Sequence, residues 1–148
     1  MKKLSFLIAL LFMTLTSYAQ TLTADHIIGT WLSEDSEVKL KFEIFKSEGK
    51  YFGRLLWASD MFEADGKTSK KDEKNPDPKL RSRARQNIVN VTNLTYKDGE
   101  YTGGKIYVPV SGDSYSLNAK LININEMHFR AYMGVSFMGK TIEFRRVK

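Results

Sequence analysis

Val38-Lys39-Leu40-Lys41-Phe42-Glu43-Ile44 decides the fold class. Apolar side chains recur at every second residue with charged ones between them. Successive side chains of a strand point to opposite faces, so this is a strand with one buried face and one wet face. Ser47-Glu48-Gly49-Lys50 then makes a turn, and Tyr51 to Trp57 returns with both faces apolar except at Arg54. The pair reads as a β-hairpin.

Both flanks repeat this pattern. Upstream, Thr23-Ala24-Asp25-His26-Ile27-Ile28 reads as one helical turn with Thr23 as N-cap, ended by Gly29, and Thr30-Trp31-Leu32 begins an extended stretch. Downstream, Ile88 to Tyr96 and Tyr101 to Val108 are joined by Lys97-Asp98-Gly99-Glu100. Tyr115, Leu117, Ala119 and Leu121 alternate with polar residues, as do Met127, Phe129, Ala131 and Met133. A short piece holding Val135 and Phe137 lies between Gly134 and Gly139, and Thr141 to Val147 is the last strand. About eight strands joined by short turns, with no long helix, predict an all-β domain. The meander order and glycines such as Gly53, Gly103 and Gly104 within strands favour a single antiparallel up-and-down barrel over a sandwich.

One connection breaks the pattern. From Ala58 to Gln86 the chain is polar and without periodicity, and it carries Lys74-Asn75-Pro76-Asp77-Pro78-Lys79-Leu80-Arg81-Ser82-Arg83. Two prolines so close exclude a helix interior or a central strand. A loop this long inside a small domain is either functional or disordered.

The first residues are expected to be removed. Lys2 and Lys3 precede an apolar run from Leu4 to Leu15, and Ser17-Tyr18-Ala19 supplies small residues for cleavage before Gln20. This is the pattern of a secretory signal peptide over residues 1–19, leaving residues 20–148 as one exported domain, periplasmic or extracellular. The run is shorter than the roughly 20 residues a membrane span needs, and no later segment qualifies. The chain has no cysteine, so disulfides, thiol nucleophiles and thiolate metal sites are excluded and a hydrophobic core must hold the fold. Residues 1–19 hold two of the 23 basic residues and none of the 17 acids, so the remainder carries 21 against 17, a net +4. That mild excess, with no basic motif, gives no reason to expect nucleic acid as a partner.

Gly29-Thr30-Trp31 entering the first strand resembles the signature of lipocalins and calycins. In that family the Trp plugs one barrel end and an Arg of the last strand lies across its ring. If Ile142 and Phe144 point inward, so does Arg146, and Trp31 with Arg146 become the closing pair. The whole domain resembles an exported bacterial family catalogued as domain of unknown function 2147. The resemblance is carried by Gly53-Arg54-Leu55-Leu56-Trp57, by Asp72 with Asn75-Pro76-Asp77-Pro78, by Leu80-Arg81-Ser82-Arg83, and by Gly103-Gly104-Lys105-Ile106-Tyr107. Phe129-Arg130-Ala131-Tyr132 and Gly139-Lys140-Thr141 with Phe144 and Arg146 complete it. The chain departs from the family pattern at Ala84, Val108 and Phe144. The resemblance implies a lipocalin-like barrel and no established activity.

No residues form a nucleophile–base motif, and His26 and His128 stand apart from any such pattern. No catalytic residue, metal ligand or cofactor is assigned. The ligand-binding candidates are Trp57 on the returning strand, Asn75, Asp77, Arg81 and Arg83 in the loop, and Tyr107, Arg130 and Tyr132 on later strands. A fork of guanidiniums can hold a carboxylate or phosphate. The same loop can instead be a clamp, with Asp77 capping a turn and the arginines paired within it. Alternation turns Arg130 and Tyr132 outward unless a bulge shifts the phase. Trp57 belongs by the same reasoning to an inward apolar set with Leu40, Phe42, Ile44, Leu55, Leu117, Leu121 and Phe129. An eight-stranded barrel is filled by such side chains or holds one small ligand. The expected function is binding of a small, partly apolar or anionic molecule. The alternative is a structural or interaction protein of the cell envelope with a filled barrel. The oligomeric state is left open. Intact mass of the protein from the cell envelope tests the export assignment: it is expected to begin at or near Gln20, and a membrane-bound form retaining residues 1–19 would contradict it.

Overall fold

The alternating stretches become strands, and each pairs with its sequence neighbour. The computed structural model describes residues 21–33 and 37–147. The proposed signal peptide, residues 1–19, lies outside the described residues. The strands are β1 (Gly29–Ser33), β2 (Leu40–Ser47), β3 (Lys50–Ala58), β4 (Val89–Lys97), β5 (Glu100–Val108), β6 (Asp113–Asn123), β7 (Glu126–Tyr132) and β8 (Lys140–Arg146). They close in the order β1 to β8, with β8 antiparallel to β1 through Trp31 opposite Arg146. Closure leaves no sheet edge unpaired. Among the described residues the only helical pieces are short 3-10 turns at Ala24–Ile27, Pro78–Leu80 and Ser136–Met138. None is long and apolar enough to cross a membrane.

Up-and-down order sorts the connections onto two ends. The 3-10 turn Ala24–Ile27 sits at the end where β1 begins. The long connection after β3, the turn after β5 and the segment after β7 all lie at the other end.

The first end is sealed. Trp31 is fully buried and its Nε1–H donates to the carbonyl of Ile27 at 2.9 Å. The Arg146 guanidinium lies 4.2 Å from the Trp31 ring centroid, as the parity of Ile142 and Phe144 predicts. Arg146 also donates to the carbonyls of Ile124 at 2.7 Å, Ile28 at 2.9 Å and His26. These bonds tie the last strand to the turn before β1 and give the cation partners as burial lowers its pKa. Gly29 has φ +136°, and a Cβ there would stand 2.5 Å from the Arg146 Nη1, so the glycine of the Gly-x-Trp motif makes room for the arginine. His26 acts as a cap: its Nδ1 accepts from the Thr23 N–H at 2.9 Å. Asp25 accepts from Lys46 Nζ at 2.8 Å and Tyr51 Oη at 2.5 Å, and these two bonds, Lys46 first, hold its carboxyl below the usual range. Tyr101 Oη donates to the Ala24 carbonyl at 2.6 Å.

Above this plug the barrel is packed with rings. Phe129 and Phe144 stand 4.9 Å apart, Phe42 contacts both, and Tyr51 meets Tyr101 edge-on at 5.2 Å.

Register shifts interrupt the alternation at several places, and two of them bear on the open end. Leu40 pairs with Ala58 and Lys41 with Trp57, but Phe42 pairs with Leu55. Leu56 is therefore the extra residue, and the phase inverts beyond it. Ala58 takes the inward position opposite Leu40. Trp57 lies opposite Lys41 on the outer face, half-buried, which corrects its assignment to the inward set. In β4, Val91 pairs with Gly53 but Val89 pairs with Arg54, leaving Asn90 as the bulged residue. Asn90 and Val91 are both buried as a result.

Truncating Trp31 to Ala is expected to cost about 3–5 kcal/mol, as for other large core truncations. Arg146→Ala should cost less, and in urea melts the double variant should lose less than the sum, because the groups touch. Strict additivity would mean that they are not partners.

Candidate functional site

The inward residues change size along the barrel axis. The sealed half is filled by Trp31, Tyr51, Tyr101, Phe129 and Phe144, each no more than 2% exposed. Towards the other end the wall is built from Leu40, Leu55, Ala58, Ile106, Ala131 and Ile142. These side chains are too small to meet across an eight-stranded barrel. They leave a cavity of about 780 Å³, with Phe42 at its base. That volume falls in the range of small-molecule sites.

Few polar groups line it. Tyr115 shares the inward face with Ile106, its register partner. Arg85 and Asp60, from the connection after β3, and Lys140, at the start of β8, stand among the lining residues at this end. Asn90 is 5% exposed, and its Nδ2 donates to the Tyr107 carbonyl at 2.9 Å. That bond fixes the amide, because a carbonyl accepts only from the NH₂. The Asn90 Oδ1 is left buried with no hydrogen-bond partner. Sequence reasoning missed Asn90: as a single Asn in a strand rich in Val and Thr it gives no signal, and the bulge that turns it inward depends on pairing with β3.

The long connection from Ser59 to Ile88 lies across this end, and Asp72 is its centre. Asp72 is 0% exposed. Its Oδ1 accepts from Tyr107 Oη at 2.5 Å, and its Oδ2 accepts from Asn75 Nδ2 at 2.8 Å and Arg83 Nε at 3.0 Å. Arg83 Nη2 completes a two-pronged ion pair at 2.9 Å, and the same guanidinium lies over the Tyr107 ring. Burial, then the Asp72 carboxylate, push the Tyr107 phenol up to about 12. Asn75 Oδ1 accepts from the Asp77 N–H, and Asp77 caps the 3-10 turn at Pro78–Leu80 by accepting from the Lys79 N–H at 2.9 Å. Arg81 Nε donates to the Asn75 carbonyl at 2.8 Å, and Arg85 Nε to the Lys71 carbonyl at 2.9 Å. A short ladder, with Lys71 bridging to Ala84, stiffens the rest.

The sequence candidates therefore separate. Asn75, Asp77, Arg81, Arg83 and Tyr107 come together, but they bond to one another and to Asp72 rather than forming a free guanidinium fork. The clamp alternative fits this geometry. Asp72 is the residue the candidate set lacked. Its central place could not be read from sequence, because Tyr107 reaches it from another strand. Arg130 points away from the cavity and donates to the carbonyls of Ser136 and Phe137 and to Thr141 Oγ1. Tyr132 stands at the cavity rim beside Met133. Trp57 is not among the lining residues.

On the outer face, Glu126, His128 and Glu143 bring three possible metal-ligand atoms within 4.8 Å. Arg145 Nη1 already pairs with Glu126 Oε2 at 3.0 Å, and His128 bonds to Glu126 Oε1 at 3.0 Å. The His128 bond, then Arg145, hold the Glu126 carboxyl below its usual range. This cluster reads as a cross-strand charge ladder.

Residues 29–146 match the model of a bacterial family described as "Uncharacterized protein conserved in bacteria (DUF2147)", and the chain belongs to that family. Among solved structures it is similar to one described as "Protein HP1028 from the human pathogen Helicobacter pylori belongs to the lipocalin family". The two are 26% identical, with 82% of each chain covered and a TM-score of 0.70. No functionally curated protein matches the chain. The closed, eight-stranded, up-and-down barrel is lipocalin-like.

Arg83→Ala leaves the Asp72 carboxylate buried without its cation, and is expected to cost about 3 kcal/mol in a urea melt. Arg81→Ala should cost about 1 kcal/mol, the worth of one hydrogen bond. Equal small losses at both positions would mean that the loop is not clamped through Asp72.

Proposed function

We propose that this member of the DUF2147 family is an exported binding protein for a small amphipathic molecule. The apolar body of the ligand occupies the hollow half of the barrel, and its polar end lies at the mouth. The observation that carries this reading is the cavity of about 780 Å³ with its mostly aliphatic wall. A void of that size in a barrel otherwise packed with rings forfeits dispersion contacts that a filled core would make. Arg85 and Lys140 at the mouth favour an anionic or strongly polar end group, with Asp60 as the one acidic residue in the wall. The orphan Oδ1 of Asn90 offers an acceptor to a ligand hydroxyl or N–H. The lipocalin description of the Helicobacter pylori protein supports the reading by analogy of fold. The filled-barrel alternative is disfavoured by the cavity.

Two measurements test this. Native mass spectrometry of protein purified from its own host is expected to find one small molecule bound. In addition, anilinonaphthalene sulfonate should bind at one site with enhanced fluorescence. Ala131→Trp, which places an indole inside the cavity, should weaken that binding by at least about tenfold while the barrel still melts cooperatively. Unchanged probe affinity in this variant, with protein repeatedly empty from its host, would overturn the proposal.

A further inference from the structure

The segment after β7 breaks the rule that large apolar side chains are hidden. Phe137 is 80% exposed, Met138 73%, Met133 70% and Val135 49%. Val110, on the turn after β5, is 44% exposed and lines the cavity, as do Met133 and Met138. Scattered exposed apolar residues need no explanation, but a cluster does. This cluster is the lip of the cavity.

The lip is held in its exposed position. All three guanidinium nitrogens of Arg130 are engaged, with the carbonyls of Ser136 and Phe137 and with Thr141 Oγ1. The Met138 and Gly139 N–H groups close the 3-10 turn on Val135 and Ser136. At Gly139 a Cβ would overlap the Ala131 carbonyl, so the turn sits tightly against β7. The Phe137 ring is thus presented outward by a braced loop.

We propose that this lip docks on a lipid bilayer bearing anionic headgroups, so that the ligand passes between cavity and membrane without crossing water. Three observations select that occupant. First, from Phe129 to Ile142 the chain carries Arg130 and Lys140 and no acid, so along the chain the apolar tip is flanked by cations, with Asp60 the one acid in the adjoining cavity wall. This is the charge pattern that anionic headgroups attract. Second, a few side chains on one loop are far fewer than the roughly 20–30 residues a side of a stable protein interface, yet they suffice for shallow insertion. Third, the lip borders the cavity mouth, so a ligand's apolar body can leave the cavity for the bilayer without being exposed to water. The proposal extends the ligand-binding reading and is tested separately from it.

The test is flotation of the protein with vesicles of equimolar phosphatidylglycerol and phosphatidylcholine, beside vesicles of phosphatidylcholine alone. The protein should float with the anionic vesicles, and added salt should weaken the binding. Phe137→Ser combined with Val135→Ser, two exposed side chains outside the cavity wall, should reduce it by at least about tenfold. Lys140→Glu should weaken binding to the anionic vesicles selectively. Both variants should keep the melting temperature, and the serine variant should keep the affinity for anilinonaphthalene sulfonate measured without vesicles. Failure of the native protein to float, or a serine variant that floats equally well, overturns the docking proposal. A serine variant that loses probe affinity without any vesicle binding in the native protein makes the lip a lid, and overturns it too. Vesicle binding without probe binding supports docking while removing the ligand-binding reading.

Discussion

Arg146 over Trp31 ties the two ends of the barrel chain together and seals one end. Strand β8 must lie beside β1 for the guanidinium to reach the ring, and that pairing closes the sheet. The same guanidinium holds the turn before β1 through the Ile28 and His26 carbonyls. Gly29 is required because a side chain there would take the space of the arginine. With this end shut and the rings of Tyr51, Tyr101, Phe129 and Phe144 packed at steep angles above it, the aromatic packing is concentrated in one half of the molecule. The other half can then stay hollow, because the plugged half supplies the core that a chain without disulfides needs.

The second constraint is the buried carboxylate of Asp72. A charge with 0% exposure is tolerable only when it is fully bonded, and Arg83, Asn75 and Tyr107 provide those bonds. Tyr107 belongs to β5, so the network fastens the loop to the barrel. The clamp keeps a long polar connection ordered beside the mouth and brings Asp60 and Arg85 to the cavity. Arg81 and Arg83 are thus engaged within the loop, and the cations in the cavity wall are Arg85 and Lys140.

Much of the fold is legible in the residues themselves. Val38 to Ile44 and Tyr115 to Leu121 announce their strands by alternation, and the parity of Ile142 and Phe144 correctly turns Arg146 towards Trp31. Trp57 is misread because a bulge at Leu56 inverts the phase, and bulges depend on partner strands rather than on local pattern. Asn90 escapes notice for the same reason. The fate of Arg81 and Arg83 is a tertiary matter: Arg83 turns to Asp72 and Arg81 to the Asn75 carbonyl, partners that composition and alternation do not announce. The hollow half follows from where Leu40, Ala58 and Ala131 fall along the axis, and alternation carries no information about axial level.

One half of this barrel is a solid core, and the other encloses a cavity walled by aliphatic side chains. Methyl NMR during titration with anilinonaphthalene sulfonate tests this division most directly. Saturable shifts are expected at Leu40, Leu55, Ile106, Ala131 and Ile142, which line the cavity, and none at Ile44, Leu94 or Leu117, which lie in the filled core. Shifts spread through both sets, or confined to the barrel exterior, would contradict it.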